Sequence, residues 1–301
     1  MPTINDRDAK TNLVIAMQDS PFSVYFLRAL LLNPNYCVTQ VCICSSPIKN
    51  KSTYEAIFIL LRKLALGYFF SKIVESVIYI FASSLSRAVN KNDLISLSKR
   101  HNFRLVRSNN TRILRKSADK NYGLVSLHYL YIIEDEIIND YAFAINFHPA
   151  LLPFGRGLSP QFHMLLKTNE VKTQDRCVYG GSLHHISPEI DSGELIKRRF
   201  IFERDMKSST EYMIRIHGEF FEIFKKEKLL AIDLNSWPDE IFDFIKKNKS
   251  RYFSYPSPKD FKNFKKDGFE ALSIYMYVSF IVRLLFLDDC QRITGQWLKK
   301  F

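Results

Sequence analysis

Residues 12–44 read NLVIAMQDSPFSVYFLRALLLNPNYCVTQVCIC. Asn12 to Met17 is short, apolar and unbroken by turn residues, the mark of a buried strand. Phe22, Phe26, Ala29 and Leu30 then recur at helical spacing within Phe22 to Leu32. Tyr36 to Cys44 is again apolar and rich in β-branched residues, a second strand. A strand–helix–strand unit this compact predicts a right-handed parallel crossover. It is the start expected of an α/β, doubly wound, mostly parallel sheet with helices on both faces.

Beyond this unit, Tyr54 to Arg87 reads as a long helix or a helix pair broken at Gly67. Asp93 to His101 reads as a short helix and Arg104 to Val106 as a small strand. Gly123 to His128 and Ala142 to Phe147 are two more strands, with a short helix over Ile133 to Asn139 between them. Leu151 to Ser159 reads as a loop, and Pro160 to Lys167 as a helix with proline in its first turn. Val178 to Ile186 and Glu194 to Phe202 are strands around an Asp191-Ser192-Gly193 turn. Ser208, with Glu211 three residues on, predicts a capping box for a helix reaching about Leu230. The remainder, with Trp237, Pro256 and Pro258, reads as helices and loops.

A chain of 301 residues, 47% hydrophobic and 25% charged, can bury a sizeable core and is neither disordered nor fibrous. Its net charge of +12 fits a Lys-rich solvated surface or an anionic partner. No finger, RNA-recognition or helix-turn-helix signature accompanies it, so no specific nucleic acid is expected. The five cysteines are odd in number and none are spaced as CxxC. Buried free thiols in a reducing compartment, and no metal, are therefore expected. Met1 to Thr11 lacks the pattern of a signal peptide, which points to the cytoplasm. Ile57 to Leu85 is interrupted by Arg62, Lys63, Lys72 and Glu75, and Ala271 to Leu287 by Arg283. Both are expected as core or interfacial helices rather than membrane spans.

The densest chemistry is Asn146-Phe147-His148-Pro149, closing an apolar strand. Two apart on an extended chain, Asn146 and His148 project to the same side. Pro149 biases His148 towards extended geometry and ends the ladder. An amide and an imidazole thus stand together at a strand's carboxyl end, where open parallel sheets bind ligands. The pair suits acyl transfer to an amine. An Asn N–H can hold a carbonyl oxygen as it becomes an oxyanion, worth on the order of 10²–10³ in rate. Imidazole can move a proton near neutral pH. Taken alone, the pair also reads as a turn cap beside a packed core histidine.

Two further stretches bear on that choice. Pro149-Ala150-Leu151-Leu152-Pro153-Phe154-Gly155-Arg156-Gly157 follows directly. Later come Gly180-Gly181-Ser182-Leu183-His184-His185-Ile186 and Glu189-Ile190-Asp191-Ser192-Gly193. Here the chain resembles the folate-dependent formyltransferases, a family that includes glycinamide ribonucleotide, methionyl-tRNA and sugar N-formyltransferases. Asn146, His148, Leu151, Leu152, Pro153, Arg156 and Gly157 match the family's first motif. His184, Asp191 and Gly193 match its second. The resemblance is strong over Tyr122 to Phe202 and weaker over Asn12 to Ser45.

The resemblance implies a Rossmann-like catalytic domain over residues 1–206, enlarged by a helical segment at about 54–100, with a largely helical extension over 207–301. It implies transfer of formyl from N10-formyltetrahydrofolate, the co-substrate, to a primary amine. Asn146 would hold the formyl oxygen and His148 would stabilise the oxyanion and pass a proton. Asp191 would orient His148 or a proton-carrying water, a role that suits a carboxylate beside an imidazole. Leu127, His128, Tyr129, Leu130 and Leu152 would line the folate, with Ile186, Glu189 and Ile190 across the site. Arg156, Gly157 and His184 would serve the acceptor. Asp191 alone also reads as a turn residue, Arg156 as half of a structural ion pair, and one of His184 and His185 as packing.

The chain departs from the family in places. Gln18-Asp19-Ser20-Pro21 lacks the glycines of a phosphate cradle, which disfavours glycinamide ribonucleotide. The last ~70 residues do not read as a small barrel that grips transfer RNA. The expected acceptor is an amino sugar, nucleotide- or lipid-linked. Peripheral contact with an anionic membrane and pairing with a second copy of the chain are further expectations. The same apparatus would also serve hydrolysis of formyl-tetrahydrofolate or a methionyl-tRNA formyltransferase-like reaction. A non-catalytic binding protein on this fold is the remaining alternative.

Overall fold

The computed structural model describes residues 10–115, 118–168, 177–203, 206–234 and 251–287. The opening unit forms as expected: β1 (Thr11–Met17), α1 (Pro21–Leu32) and β2 (Tyr36–Cys44), with β1 and β2 parallel. Ser20 caps α1 by accepting the Ser23 N–H, and Pro21 occupies the first turn, where a missing N–H costs nothing. Then come α2 (Thr53–Lys63), α3 (Leu66–Ala88), α4 (Leu94–His101), β3 (Arg104–Ser108), α5 (Arg112–Arg115), β4 (Tyr122–Leu127), α6 (Asp135–Ile138) and β5 (Phe143–His148). The break between α2 and α3 falls at Leu64 and Ala65, just before Gly67.

The second half holds β6 (Gly155–Gly157), α7 (Pro160–Thr168), β7 (Cys177–His185), β8 (Leu195–Glu203), α8 (Ser209–Lys226), β9 (Arg251–Phe253), α9 (Pro258–Lys266) and α10 (Ile274–Phe286). Ser208 caps α8 as expected, but the Glu211 carboxylate accepts the N–H of Lys207 rather than that of Ser208. The short strand β6, read as loop from its glycines, forms only because β9 runs parallel beside it. Trp237 and Cys290 lie outside the described residues.

Among the described residues the main sheet has seven strands in the order β3-β2-β1-β4-β5-β7-β8. The first five are parallel, while β7 and β8 are antiparallel additions. This is the expected mostly parallel, Rossmann-like sheet. Alternation along β1 sends Leu13, Ile15 and Met17 into the larger core and Val14 and Ala16 into the smaller one on the other face. The larger core also takes Phe220 and Phe224 from α8 and Phe280 and Leu284 from α10. Its aromatic centre is Phe26, stacked on Phe224 and His217 and meeting Phe147 edge-on.

Two expectations about burial divide. Cys42 and Cys44 are buried free thiols, and burial pushes their pKa values up to about 11 and about 12; Cys37 is free but exposed. α10 is a core helix, burying Met276, Phe280, Ile281 and Leu284. α3 is not. It is long and apolar enough to cross a membrane, yet little of it is buried. It packs against α2, α4, α9 and α10 and buries Tyr68, Phe69, Tyr79 and Ser86.

Candidate active site

The site is assembled at the carboxyl end of β5 by a three-residue clip. His148 is buried, and its Nε2 donates to the Gly155 carbonyl oxygen at 2.5 Å. Two residues on, the Gly157 N–H donates to Asp191 Oδ2 at 2.8 Å. One short strand, β6, therefore sets both the imidazole and the carboxylate. The tie to Gly155 fixes the proton of neutral His148 on Nε2 and leaves Nδ1 for chemistry. Asp191 Oδ1 lies 3.5 Å from that Nδ1, close enough to stabilise a proton there.

Glycine is required at the clip. Gly157 has φ +100°, and a Cβ there would stand 2.2 Å from the Phe253 carbonyl oxygen on β9. Gly157→Ala should lower the unfolding free energy by about 1–3 kcal/mol, the usual cost of forcing a side chain into a sparsely populated conformation. Turnover should fall with it, because the N–H that seats Asp191 moves. Thermal unfolding and an activity assay on the same preparation check this.

Asp191 itself has φ +50° and turns the chain towards Gly193, where a Cβ would collide with the His185 carbonyl oxygen at 1.8 Å. Arg156, expected at the acceptor, is committed elsewhere. Its Nε and Nη2 both donate to the Ile190 carbonyl, at 2.8 and 2.5 Å, and Glu189 approaches at 3.9 Å. Its planar fork clamps the loop that carries Asp191.

His184 is likewise a support. It is 2% exposed, and its Nδ1 donates to the His185 carbonyl at 2.8 Å. Its Nε2 is then an acceptor, and Asn146 Nδ2 donates to it at 3.0 Å. This bond fixes which way the Asn146 amide points and leaves its second N–H for a ligand. Burial, and next the nearby His148, push the His184 pKa down to about 4, consistent with a neutral ring. The neighbouring His185 is half-buried on the opposite face of the strand.

A second histidine pair lies beneath. His217 on α8 donates from Nδ1 to the Met213 carbonyl at 2.6 Å, and its Nε2 lies 2.7 Å from His128 Nε2. One proton serves that contact, so both rings are neutral, with His128 donating. Burial is the first cause in each: the His128 pKa falls to about 3 and that of His217 falls well below its ordinary value. His217 was not singled out from the sequence. On an amphipathic helix it reads as one more position on the apolar face, and nothing local shows that His128 lies opposite.

The four residues Asn146, His148, His184 and Asp191 line one cleft of about 760 Å³. Tyr129, Leu130, Ile186, Glu189 and Ile190 line it too, where a folate was expected, as does His128, half-buried at φ +57°. The side chains of Leu127 and Leu152 are not among its lining: both are buried, with Leu127 in the core and the Leu152 N–H donating to Ser182 Oγ at 3.0 Å. The far wall is α3. Tyr68 donates to Ser159 Oγ at 2.9 Å and Tyr79 to Asp19 Oδ1 at 3.0 Å. Asp19 is also paired with Arg107 at 2.6 Å. A carboxylate therefore sits in the β1–α1 turn, adverse to a phosphate there and in keeping with the missing glycines.

Among the described residues no group of His, Cys, Asp and Glu could hold a metal ion. No family model and no curated protein matches the chain. Among solved structures it is similar to a glycinamide ribonucleotide transformylase from Symbiobacterium toebii, at 13% identity, 74% of this chain, 86% of that one and a TM-score of 0.46. It is similar to an N-formyltransferase from Helicobacter canadensis in complex with folinic acid and dTDP-3-aminofucose, at 13% identity, 82% of this chain, 71% of that one and a TM-score of 0.47. A sugar N-formyltransferase from Shewanella sp. is similar at 17% identity, 87% of this chain, 97% of that one and a TM-score of 0.44.

Proposed function

We propose that the chain transfers a formyl group from N10-formyltetrahydrofolate to a primary amine, with an amino sugar as the acceptor class. The observation that carries this reading is the meeting of an oriented amide, an imidazole with a free Nδ1 and a seated carboxylate in one cleft. The free N–H of Asn146 holds the formyl oxygen as negative charge grows on it. The amine attacks the formyl carbon, and its proton passes to His148 Nδ1, where Asp191 stabilises the imidazolium. His148 returns that proton to the folate nitrogen as the old C–N bond breaks. No covalent enzyme intermediate is needed. Tyr129, Leu130, Ile186 and Ile190 line the cleft and offer apolar surface to a flat pterin.

The test is turnover of formyl-tetrahydrofolate with a panel of amino-sugar nucleotides, read by mass spectrometry as gain of one formyl group. A panel in which no amine is formylated sinks the reading, and formate released without amine reassigns the site to hydrolysis. Asn146→Ala should lower kcat by ~10²–10³ in this assay with little change in KM, since its donor acts on the developing oxyanion.

A further inference from the structure

We infer that α2 and α3 seat this protein on an anionic phospholipid bilayer, with the mouth of the cleft at the bilayer surface. Leu66, Phe70, Val74, Val77, Phe81 and Leu85 form one stripe along α3, spaced four, four, three, four and four residues apart. All six are exposed, Phe81 at 66% and Val77 at 60%. The stripe runs the length of a 23-residue helix, roughly 34 Å at 1.5 Å per residue. On α2, Tyr54, Phe58 and Leu61 are exposed as well. A soluble helix turns its apolar face to the core; here that face is turned outward.

The charges choose the occupant. Arg62 and Lys63 precede the stripe, Arg87 and Lys91 follow it, and over residues 53–91 five basic side chains stand against two acidic ones. Glu75 is paired with Lys72 at 2.8 Å, and Arg87 with Asp93, just beyond this stretch, at 3.4 Å. Such a surface repels a second copy of itself and attracts anionic headgroups. The positions flanking the stripe also argue against a coiled coil. They hold Ile73, Ile80 and Ser84 instead of the interhelical ion pairs that select a partner helix. α3 does not span the bilayer, because its opposite face buries Tyr68, Phe69, Tyr79 and Ser86 within this fold. It lies in the interface plane.

Ile57, Ile73, Val77 and Ile80 line the cleft while remaining exposed. An acceptor amine carried on a lipid would therefore reach Asn146 and His148 without leaving the bilayer surface. This part rests on the formyl-transfer reading; the docking does not.

The experiment is flotation with vesicles of equal parts phosphatidylglycerol and phosphatidylcholine, against phosphatidylcholine alone. The full chain should float with the anionic vesicles, and high salt should release much of it. The double variant Phe70→Glu/Phe81→Glu, which replaces no residue lining the cleft, should lose binding by about a hundredfold, as two rings are withheld from the bilayer. Its circular dichroism and its turnover of a water-soluble amine should be unchanged. The chain should also formylate an amino sugar on an alkyl chain in the vesicle faster than the same soluble sugar, and the double variant should lose that advantage. Wild type left at the bottom of the gradient overturns the inference. So does flotation that the double variant retains, or a dimer that the variant dissociates without vesicle binding. Equal rates for the two amines overturn delivery from the bilayer. Flotation lost in the variant with no formyl transfer by either protein leaves the docking standing and removes the activity.

Discussion

His148→Ala should lower kcat by about 10²–10⁴, the usual share of a positioned proton carrier. The loss has two sources. The imidazole is buried, so truncation opens a hole in the site, and the Gly155 carbonyl loses its donor. His148→Gln separates the two. Glutamine supplies an N–H towards Gly155 but cannot take up and release a proton near neutral pH. Both variants should be equally slow, while His148→Gln recovers much of the thermal stability that His148→Ala loses. Turnover under saturating substrate, paired with unfolding temperature, checks this. Wild-type turnover in either variant would remove His148 from the mechanism. Asp191→Asn should not add its loss to that of His148→Ala, because the carboxylate acts through the imidazole.

A second large effect is expected from acid. His128, His184 and His217 are held neutral by burial, with pKa values pushed down to about 3, to about 4 and well below the ordinary value. In the unfolded chain they take up protons near pH 6.5. Below that pH the unfolded state binds more protons than the native one, so stability is fully present above it and is lost as pH falls towards the folded values. Each histidine contributes a slope of ~1.4 kcal/mol per pH unit, and three together up to ~4 kcal/mol per unit between about pH 6 and pH 4. Urea unfolding across that range measures the slope. His217→Phe keeps a ring among Phe22, Phe26 and Phe147 and should remove roughly a third of it. A stability that is flat from pH 6.5 to pH 4.5 would show that these rings are not neutral in the fold.

The two effects share an origin in the C-terminal half. β9 holds the β6 clip in place, and α8 brings His217 under His128. Tyr252, Tyr255 and Tyr277 complete the cleft from beyond residue 250. The segment that reads as a helical extension thus supplies part of the wall, part of the clip and much of the core.

By itself the sequence determined the apolar strands of the sheet, the helix cap at Ser208, and the pairing of Asn146 with His148 at one strand end. These are local properties: side-chain period, turn chemistry and extended geometry act over a few residues and need no distant partner. Asp191 was legible as a turn residue whose carboxylate had to find a use. Only the tertiary structure decided that Arg156 clamps the Ile190 carbonyl, that His184 orients Asn146, that the Leu152 N–H meets Ser182 and that α3 turns its apolar stripe outward. Each depends on what lies across a gap of 30 or more residues, or on which side of a helix its neighbours happen to cover, and periodicity is the same whichever face is left open.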